Sequence, residues 1–142
     1  MKRRYLLDTG IAQDYQAGRG EVRARAIAHR KNGHRIGICV PVLGELWSGV
    51  EFSSSRDRNL VLLREALSTL MIWPYSVQAA EEFGRIFAEL RRSGRIIQQI
   101  DIQIGAIART IPNCVIVSKD GDFSAISGVK VENWADASKE AV

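Results

Sequence analysis

The sequence predicts an α/β fold in which helices cover both faces of a mainly parallel central sheet. Short apolar runs alternate along the chain with longer stretches in which apolar residues recur every three or four positions. Continuous apolar runs are typical of strands that are buried on both faces, and the longer stretches have the periodicity of amphipathic helices. Strands that alternate with helices form parallel sheets through right-handed connections. A three-layer arrangement of helix, sheet and helix is therefore expected.

Five short runs are the predicted strands, and they occupy residues 5–7, 36–40, 71–73, 115–117 and 129–131. Three apolar stripes with helical spacing lie between them. The first contains Val42, Leu43, Leu46, Trp47 and Val50, the second Leu60, Leu63, Leu67 and Leu70, and the third Val77, Ala80, Phe83, Phe87 and Leu90. The second helix is expected to start near Arg56. Residues 102–109 are apolar nearly all round, which predicts a buried helix.

The composition indicates one domain that has a weak preference for polyanions. The chain has 142 residues, enough for one domain, and its Lys and Arg exceed its Asp and Glu by 20 to 16. The net charge of +4 is compatible with a nucleic-acid partner. Cys39 and Cys114 lie in apolar runs without metal-binding spacing, which favours reduced thiols and a cytoplasmic location. No apolar run is long enough for a secretion signal or a membrane span, so no membrane association is expected.

Acidic residues follow several of the predicted strands and helix starts. Asp8 follows the first strand, Glu45 lies early in the helix after residues 36–40, and Asp101 begins the buried helix. Asp120 and Asp122 follow the strand at 115–117. Functional sites in open parallel sheets lie beyond the carboxyl ends of the strands, so these four segments are predicted to deliver acids to one edge.

Each acid also has a purely structural interpretation. Asp101 is a candidate helix cap, Asp8 is a candidate turn residue, and the segment from Ser118 to Phe123 has the composition of a turn. Glu45 stands among apolar neighbours and is expected to be buried, where an unpaired carboxylate is costly. We expect Asp120 to be the fourth member of the site and Asp122 to be a supporting group that caps a short helix.

Clustered carboxylates require a cation among them. Two carboxylates about 5 Å apart repel by roughly 3 kcal/mol at an effective dielectric constant of 20. Oxygen ligands without nearby His or Cys suit Mg²⁺ or Mn²⁺. A hydrated ion of this kind can promote hydrolysis of a phosphodiester.

In these segments the sequence resembles the PIN-domain ribonucleases, and within them the VapC-type toxins of type II toxin–antitoxin systems. Residues 5–9 are similar to the family's first strand and its Asp-Thr ending, and residues 41–46 resemble its Glu-Leu helix. Residues 94–108 resemble its Gly, Asp and small-residue helix, and residues 118–123 and 131–134 match its closing Asp-Phe and Glu-Asn-Trp pattern. The order and spacing of these segments carry the resemblance, which spans nearly the whole chain.

The resemblance implies a PIN-like nuclease domain over residues 1–134, followed by a short polar tail at 135–142. It implies a Mg²⁺- or Mn²⁺-dependent endoribonuclease whose RNA cleavage is neutralised by a cognate VapB-like antitoxin, and it implies a homodimer. The implied metal ligands are Asp8, Glu45, Asp101 and an acid after Val117, with Thr9 and Ser118 in support. Gly10 departs from the Asn or Ser that is common at its position in the family, so no side-chain hydrogen bond is expected there.

Other interpretations remain open at this point. A non-catalytic nucleic-acid-binding module would explain the excess of Lys and Arg, but the acids would repel phosphate unless metal were bound. A receiver domain lacks the paired acids it needs after the first strand. Three basic residues, Arg91, Arg92 and Arg95, are candidates for binding substrate phosphate or for complementing a helix end. An apolar stripe through Trp47, Val50 and Phe52 is either a docking surface for a partner or part of the core.

Overall fold

The computed structural model describes residues 1–135 of the chain. Its elements alternate strand and helix, as the sequence predicts. They are β1 (Arg4–Leu7), α1 (Thr9–Ala17), α2 (Val22–Lys31), β2 (Arg35–Cys39), α3 (Val40–Phe52), α4 (Arg56–Leu67), β3 (Met71–Trp73), α5 (Val77–Arg92), α6 (Gln99–Thr110), β4 (Cys114–Val117), a 3₁₀ helix (Gly121–Ala125) and β5 (Lys130–Glu132). Most of the predicted tail, residues 136–142, lies outside the described part of the chain.

The five strands form one parallel sheet in the order β3-β2-β1-β4-β5. The chain moves outward from β1 in one direction through β2 to β3, and then returns to place β4 on the other side of β1. The order therefore reverses between β1 and β4, and open parallel sheets bind ligands outside such a reversal. Leu7 is in register with Val117, and the Asp8 amide donates to the Val117 carbonyl over 3.0 Å. The two strands thus end side by side.

Apolar side chains from both helical layers bury the sheet. Tyr5, Leu6 and Leu7 of β1 are fully buried, and α6 is buried from Asp101 to Ala108 apart from Gln103. The expectation of a buried helix at 102–109 is confirmed for this stretch. The α/β class, the parallel sheet and the start of α4 at Arg56 are confirmed as well. Within residues 1–135, no helix is both long and apolar enough to cross a membrane.

Element ends and two helices differ from the sequence-based expectation. Val40 was expected to end a strand, but it begins α3, because Cys39 is the extended residue before the helix and Pro41 stands in the first turn. Val129 precedes β5 instead of belonging to it. The two helices α1 and α2 were not predicted. Four of the ten residues of α2 are Arg or Lys, and only Val22 and Ala26 are buried. The helix therefore lacks the broad apolar stripe by which an amphipathic helix is recognised in a sequence.

The two histidines lie in an aromatic cluster. His29 stacks on Trp134 with ring centroids 5.0 Å apart, and it lies 4.4 Å from the Tyr5 ring. His34 accepts a hydrogen bond at Nδ1 from the Arg3 amide over 2.9 Å. Both rings therefore have structural partners.

We predict that Gly37→Ala destabilises the protein by about 2 to 3 kcal/mol, since overpacking of a filled core has that cost. Gly37 lies on β2, and a methyl group there would come within 2.4 Å of the Met71 carbonyl oxygen and 2.7 Å of the Trp73 ring. The control is Gly84→Ala on α5, where a methyl group meets no atom within 4 Å and is expected to stabilise by about 1 kcal/mol. Urea unfolding measures both changes. Equal effects of the two substitutions would show that the backbone and side chains around Gly37 move to make room for the methyl group.

Candidate active site

A depression of about 340 Å³ opens at the carboxyl edge of the sheet, beside the ends of β1 and β4. Its lining comes from the segment after β1, the second turn of α3, the start of α6, and the segment after β4. The lining residues are Asp8, Thr9, Gly10, Glu45, Gln98, Ile100, Asp101, Lys119 and Asp120. The acids of four separate segments therefore meet at the place that the sheet topology predicts.

Asp8 is fixed by hydrogen bonds to both of its oxygens. It is the N-cap of α1, where Oδ1 accepts from the Ile11 amide over 2.9 Å, and Oδ2 accepts from the Ser118 hydroxyl. Its burial raises the pKa of the carboxyl group, while the bonds from Ser118 and Ile11 act in the opposite direction. The turn expected around Asp8 is thus the start of a helix, and the cap directs Asp8 toward the depression.

Ser118 connects two of the acids. Its side chain is buried, its hydroxyl donates to Asp8 Oδ2, and its Oγ accepts from the Asp120 amide over 2.9 Å. A single hydroxyl therefore fixes the carboxylate after β1 relative to the backbone after β4. The orienting role that the family resemblance implies for Ser118 stays a prediction, and these two hydrogen bonds are the contacts on which it rests.

Asp101 is buried at 8% exposure and lies in the first turn of α6. The N-cap of that helix is Gln98, whose side chain makes no capping bond, so Asp101 is not the helix cap of the alternative interpretation. Burial raises the pKa of Asp101 to about 6, with further contributions from Asp120, Asp8, Asp122 and Glu45 in that order. The acids around it therefore make ionisation of Asp101 unfavourable when no cation is present.

The short helix after β4 is capped by Asp120, although Asp122 was the expected cap. Asp120 is the N-cap of the 3₁₀ helix, and its Oδ1 accepts from the Asp122 amide over 2.9 Å. The expectation that Asp122 is the cap was wrong, because the helix begins at Gly121, two residues before the expected start at Phe123. Single carboxylate oxygens of Asp101, Asp120 and Asp122 lie within 4.8 Å of one another. Both acids after β4 are therefore close enough to Asp101 to share a cation with it.

Glu45 is exposed, which corrects the expectation that it is buried. The buried stripe of α3 consists of Val42, Leu46 and Val50, and Glu45 falls at the edge of that stripe. Its Oε1 accepts a hydrogen bond from the Thr9 hydroxyl over 2.7 Å. Glu45 therefore faces the depression from the solvent side, and Thr9 restrains it.

The three predicted arginines lie in different surroundings. Arg95 Nη2 is 3.9 Å from Asp122 Oδ1, so this side chain borders the acidic site. The guanidinium of Arg91 lies 4.8 Å from the centre of the Phe87 ring. Arg92 lines a separate depression on the outer face of α5, together with Glu81, Arg85 and Glu89 among others. The structure thus brings one of the three arginines to the acids.

Two charged residues near the site were missed in the sequence. Lys119 lines the depression, and its Nζ donates to Asp14 Oδ2 over 3.0 Å. Asp14 is a nearly buried residue of α1. The position of Lys119 between Ser118 and Asp120 was a usable signal. No local pattern marks Asp14, because its partner is 105 residues away in the sequence.

The donor set of the depression suits a divalent cation that prefers oxygen ligands. Carboxylate oxygens from Asp8, Glu45, Asp101 and Asp120 surround it, and no Cys or His is among its lining residues within the described chain. Burial is the largest cause of the raised pKa of Asp101 and the neighbouring acids add to it, and a bound cation would offset both effects. Mg²⁺ and Mn²⁺ accept such ligands and retain water for an incoming phosphate.

Comparison with known proteins agrees with this geometry. The family model described as PIN domain matches residues 5–129. Ribonuclease VapC2 of Haemophilus influenzae is 33% identical over 133 residues, which cover 92% of this chain and 98% of that protein. The tRNA(fMet)-specific endonuclease VapC of Salmonella typhimurium is 33% identical over 103 residues, covering 72% of this chain and 78% of that protein.

A solved structure shares nearly the whole fold. The structure of VapBC2 from Rickettsia felis bound to a DNA fragment from their promoter superposes with a TM-score of 0.86 and 29% sequence identity. The match covers 92% of this chain and 98% of that one. Together with the domain match, these similarities show that the chain belongs to the PIN domain family and, within it, to the VapC proteins.

Proposed function

We propose that this protein is a divalent-metal-dependent endoribonuclease that hydrolyses RNA phosphodiester bonds and acts as a toxin neutralised by a cognate VapB-like antitoxin. One observation carries the proposal: acids from four segments of a VapC-type chain converge in one open depression at the sheet's switch point. The relatives from Haemophilus influenzae and Salmonella typhimurium are named as a ribonuclease and an endonuclease, which supports the same activity here.

In this proposal Asp8, Glu45, Asp101 and Asp120 hold Mg²⁺ or Mn²⁺, with Asp122 at the edge of the site. A bound divalent ion would lower the pKa of a water molecule that it binds and would neutralise charge on the scissile phosphate. In the hydrolysis, a water oxygen bonds to phosphorus while the bond to the leaving ribose oxygen breaks. The protein's own contribution is to hold the acids in place before substrate arrives: Ser118 fixes Asp8 and the Asp120 backbone, and Thr9 fixes Glu45.

We further propose that the protein works in the cytoplasm, pairs with a VapB-like antitoxin and forms a homodimer. The solved VapBC complexes from Rickettsia felis and Salmonella typhimurium support a partner of this class. The apolar stripe of Trp47, Val50 and Phe52 is partly in the core and partly exposed to solvent. Val50 is buried and Trp47 is packed against the core, while Phe52 is 96% exposed at the end of α3. Phe52 is therefore the part of the stripe that is available to a partner.

Cleavage of RNA by the purified toxin tests the enzymatic proposal. We expect cleavage with Mg²⁺ or Mn²⁺, no cleavage in EDTA, and inhibition when a cognate VapB-like antitoxin is added. A tRNA is the first substrate to assay, since the Salmonella relative is named for tRNA(fMet). Binding of RNA without cleavage in the presence of Mg²⁺ or Mn²⁺ would instead support the alternative, a non-catalytic nucleic-acid-binding module of the same fold.

We predict that Arg95 provides most of the substrate-binding contribution of the three arginines, because it alone among them has a contact with an acid of the site. Arg95→Gln is expected to weaken RNA binding and to reduce the slope of log K against log salt by about 0.7, the value for one phosphate contact on a single strand. Replacing Arg91 and Arg92 as well is expected to add little to that slope.

The matched control is Arg85→Gln, which removes the same charge from an exposed arginine paired with Glu82 on α5. Binding measured at four or more salt concentrations separates the cases. If Arg91 and Arg92 alter the slope as much as Arg95 does, substrate also crosses the outer face of α5. If none of the three arginines alters the salt slope, their remaining role is to stabilise the carboxyl end of α5 through its helix dipole.

A further inference from the structure

The acidic depression contains a cation of its own. Lys119 stands between Ser118 and Asp120, and among the described residues that line the depression it is the one positively charged side chain. The Ser118 hydroxyl bonds Asp8 on one side and the Asp120 amide on the other, so the backbone that carries Lys119 is fixed. The side chain of Lys119 therefore starts from a fixed backbone position among the proposed metal ligands.

Asp14 holds the lysine amine at the rim of the site. Lys119 Nζ donates to Asp14 Oδ2 over 3.0 Å, with the lysine side chain 51% exposed and the aspartate side chain 13% exposed. Asp14 extends from α1, the helix that Asp8 caps. The lysine's path passes close to Gly10, where a side-chain carbon would lie 4.0 Å from Lys119 Cε and 3.9 Å from Asp8 Oδ1. A side chain at this position would therefore be in van der Waals contact with both the lysine and the proposed metal ligand.

The ion pair can release the lysine at low cost. A half-exposed ion pair contributes little to stability, so the pair with Asp14 does not by itself explain a lysine in this position. Arg19 Nη1 lies 3.7 Å from Asp14 Oδ1. The Asp14 carboxylate therefore keeps a cationic neighbour when Lys119 turns away, and no buried charge is left unpaired.

We propose that Lys119 binds a non-bridging oxygen of a substrate phosphate at the acidic depression, and that Asp14 is a positioning residue that keeps its amine there before substrate arrives. This inference rests on the proposed nuclease function. Phosphate must approach a cluster of carboxylates, and a flexible amine among them offsets their repulsion at the point of contact. The lysine stem has the reach to exchange Asp14 for phosphate without movement of the backbone.

The test compares Lys119→Met, Lys119→Arg and the control Lys31→Met. Lys31 is an exposed residue at the end of α2, before β2, so it lies at the opposite edge of the sheet and its replacement removes the same charge. RNA binding is measured in EDTA over a range of salt concentrations, and single-turnover cleavage is measured with Mg²⁺ or Mn²⁺. Unfolding temperatures are recorded for every variant.

We expect Lys119→Met to weaken RNA binding about tenfold or more, to lower the salt slope by about 0.7 and to slow cleavage, while Lys119→Arg retains most of both. Lys31→Met is expected to behave as the wild type. If the wild type cleaves RNA and Lys119→Met matches Lys31→Met, the role of Lys119 is refuted and the nuclease function stands. A lower unfolding temperature with an unchanged salt slope would reduce Lys119 to a structural partner of Asp14. A wild type without cleavage refutes the nuclease function and, with it, this inference.

Discussion

Asp101→Asn is expected to abolish RNA cleavage and at the same time to stabilise the metal-free protein. Asp101 is buried among four other carboxylates, and its pKa is raised to about 6. Loss of a charged group at the reacting centre typically slows an enzyme by about 10² to 10³ fold. The same change removes a charge that the metal-free fold holds at a cost, so unfolding by urea at pH 8 should require about 1 to 3 kcal/mol more.

The pH dependence has a definite sign. Because the folded-state pKa of Asp101 lies above the unfolded value, the folded protein binds the extra proton between about pH 6 and pH 4. The metal-free wild type therefore gains stability as the pH falls through this window and loses it as the pH rises through about 6. We expect Asp101→Asn to remove this contribution from the profile.

Asp57→Asn is the matched control for this experiment, since it removes one charge from a fully exposed aspartate in the first turn of α4. It is expected to leave cleavage unchanged. Full activity in Asp101→Asn would remove Asp101 from the site. A metal-free Asp101→Asn protein that is less stable than the wild type at pH 8 would mean that the carboxylate has a compensating partner.

Asp120→Asn is expected to lose cleavage by about 10² fold or more with little change in stability. Asn caps helices as well as Asp does, so the bond from the Asp122 amide survives the substitution while the charge does not. Asp122→Asn is expected to lose less than about tenfold, because this side chain is 44% exposed and already has Arg95 beside it. The sequence-based expectation that Asp122 matters mainly for stability is not retained, since the cap is Asp120.

Cleavage rates of the two variants at saturating metal, with thermal unfolding of each, distinguish the two acids. A larger loss of activity in Asp122→Asn would transfer the role of the fourth acid to that residue. A large drop in unfolding temperature for Asp120→Asn would show that the 3₁₀ helix requires the charge of its cap as well as its hydrogen bond.

The sheet and the acids of the site could be predicted from the sequence because both are local signals. Continuous apolar runs identify buried parallel strands, and in such a sheet the carboxyl ends of β1 and β4 must lie together. Asp8 and Asp120 follow those ends directly. Their convergence therefore follows from chain order and needs no knowledge of side-chain contacts.

Other features depend on contacts that the sequence does not encode locally. The exposure of Glu45 depends on where α3 packs against its neighbours, because successive residues of a helix point about 100° apart and Leu46, the next residue, is buried. The pair of Asp14 and Lys119 joins α1 to the segment after β4 across 105 positions. The helix α2 was missed because four of its ten residues are Arg or Lys and only two of its residues are buried.

The most direct test of the central claim is a calorimetric titration of Mn²⁺ into the wild type and into Asp101→Asn. The claim is that acids from four segments form one divalent-cation site. We expect saturable binding to the wild type and at least tenfold weaker binding to the variant, because the buried carboxylate is lost from the donor set. Absence of binding to the wild type, or equal affinity in the two proteins, would contradict the claim.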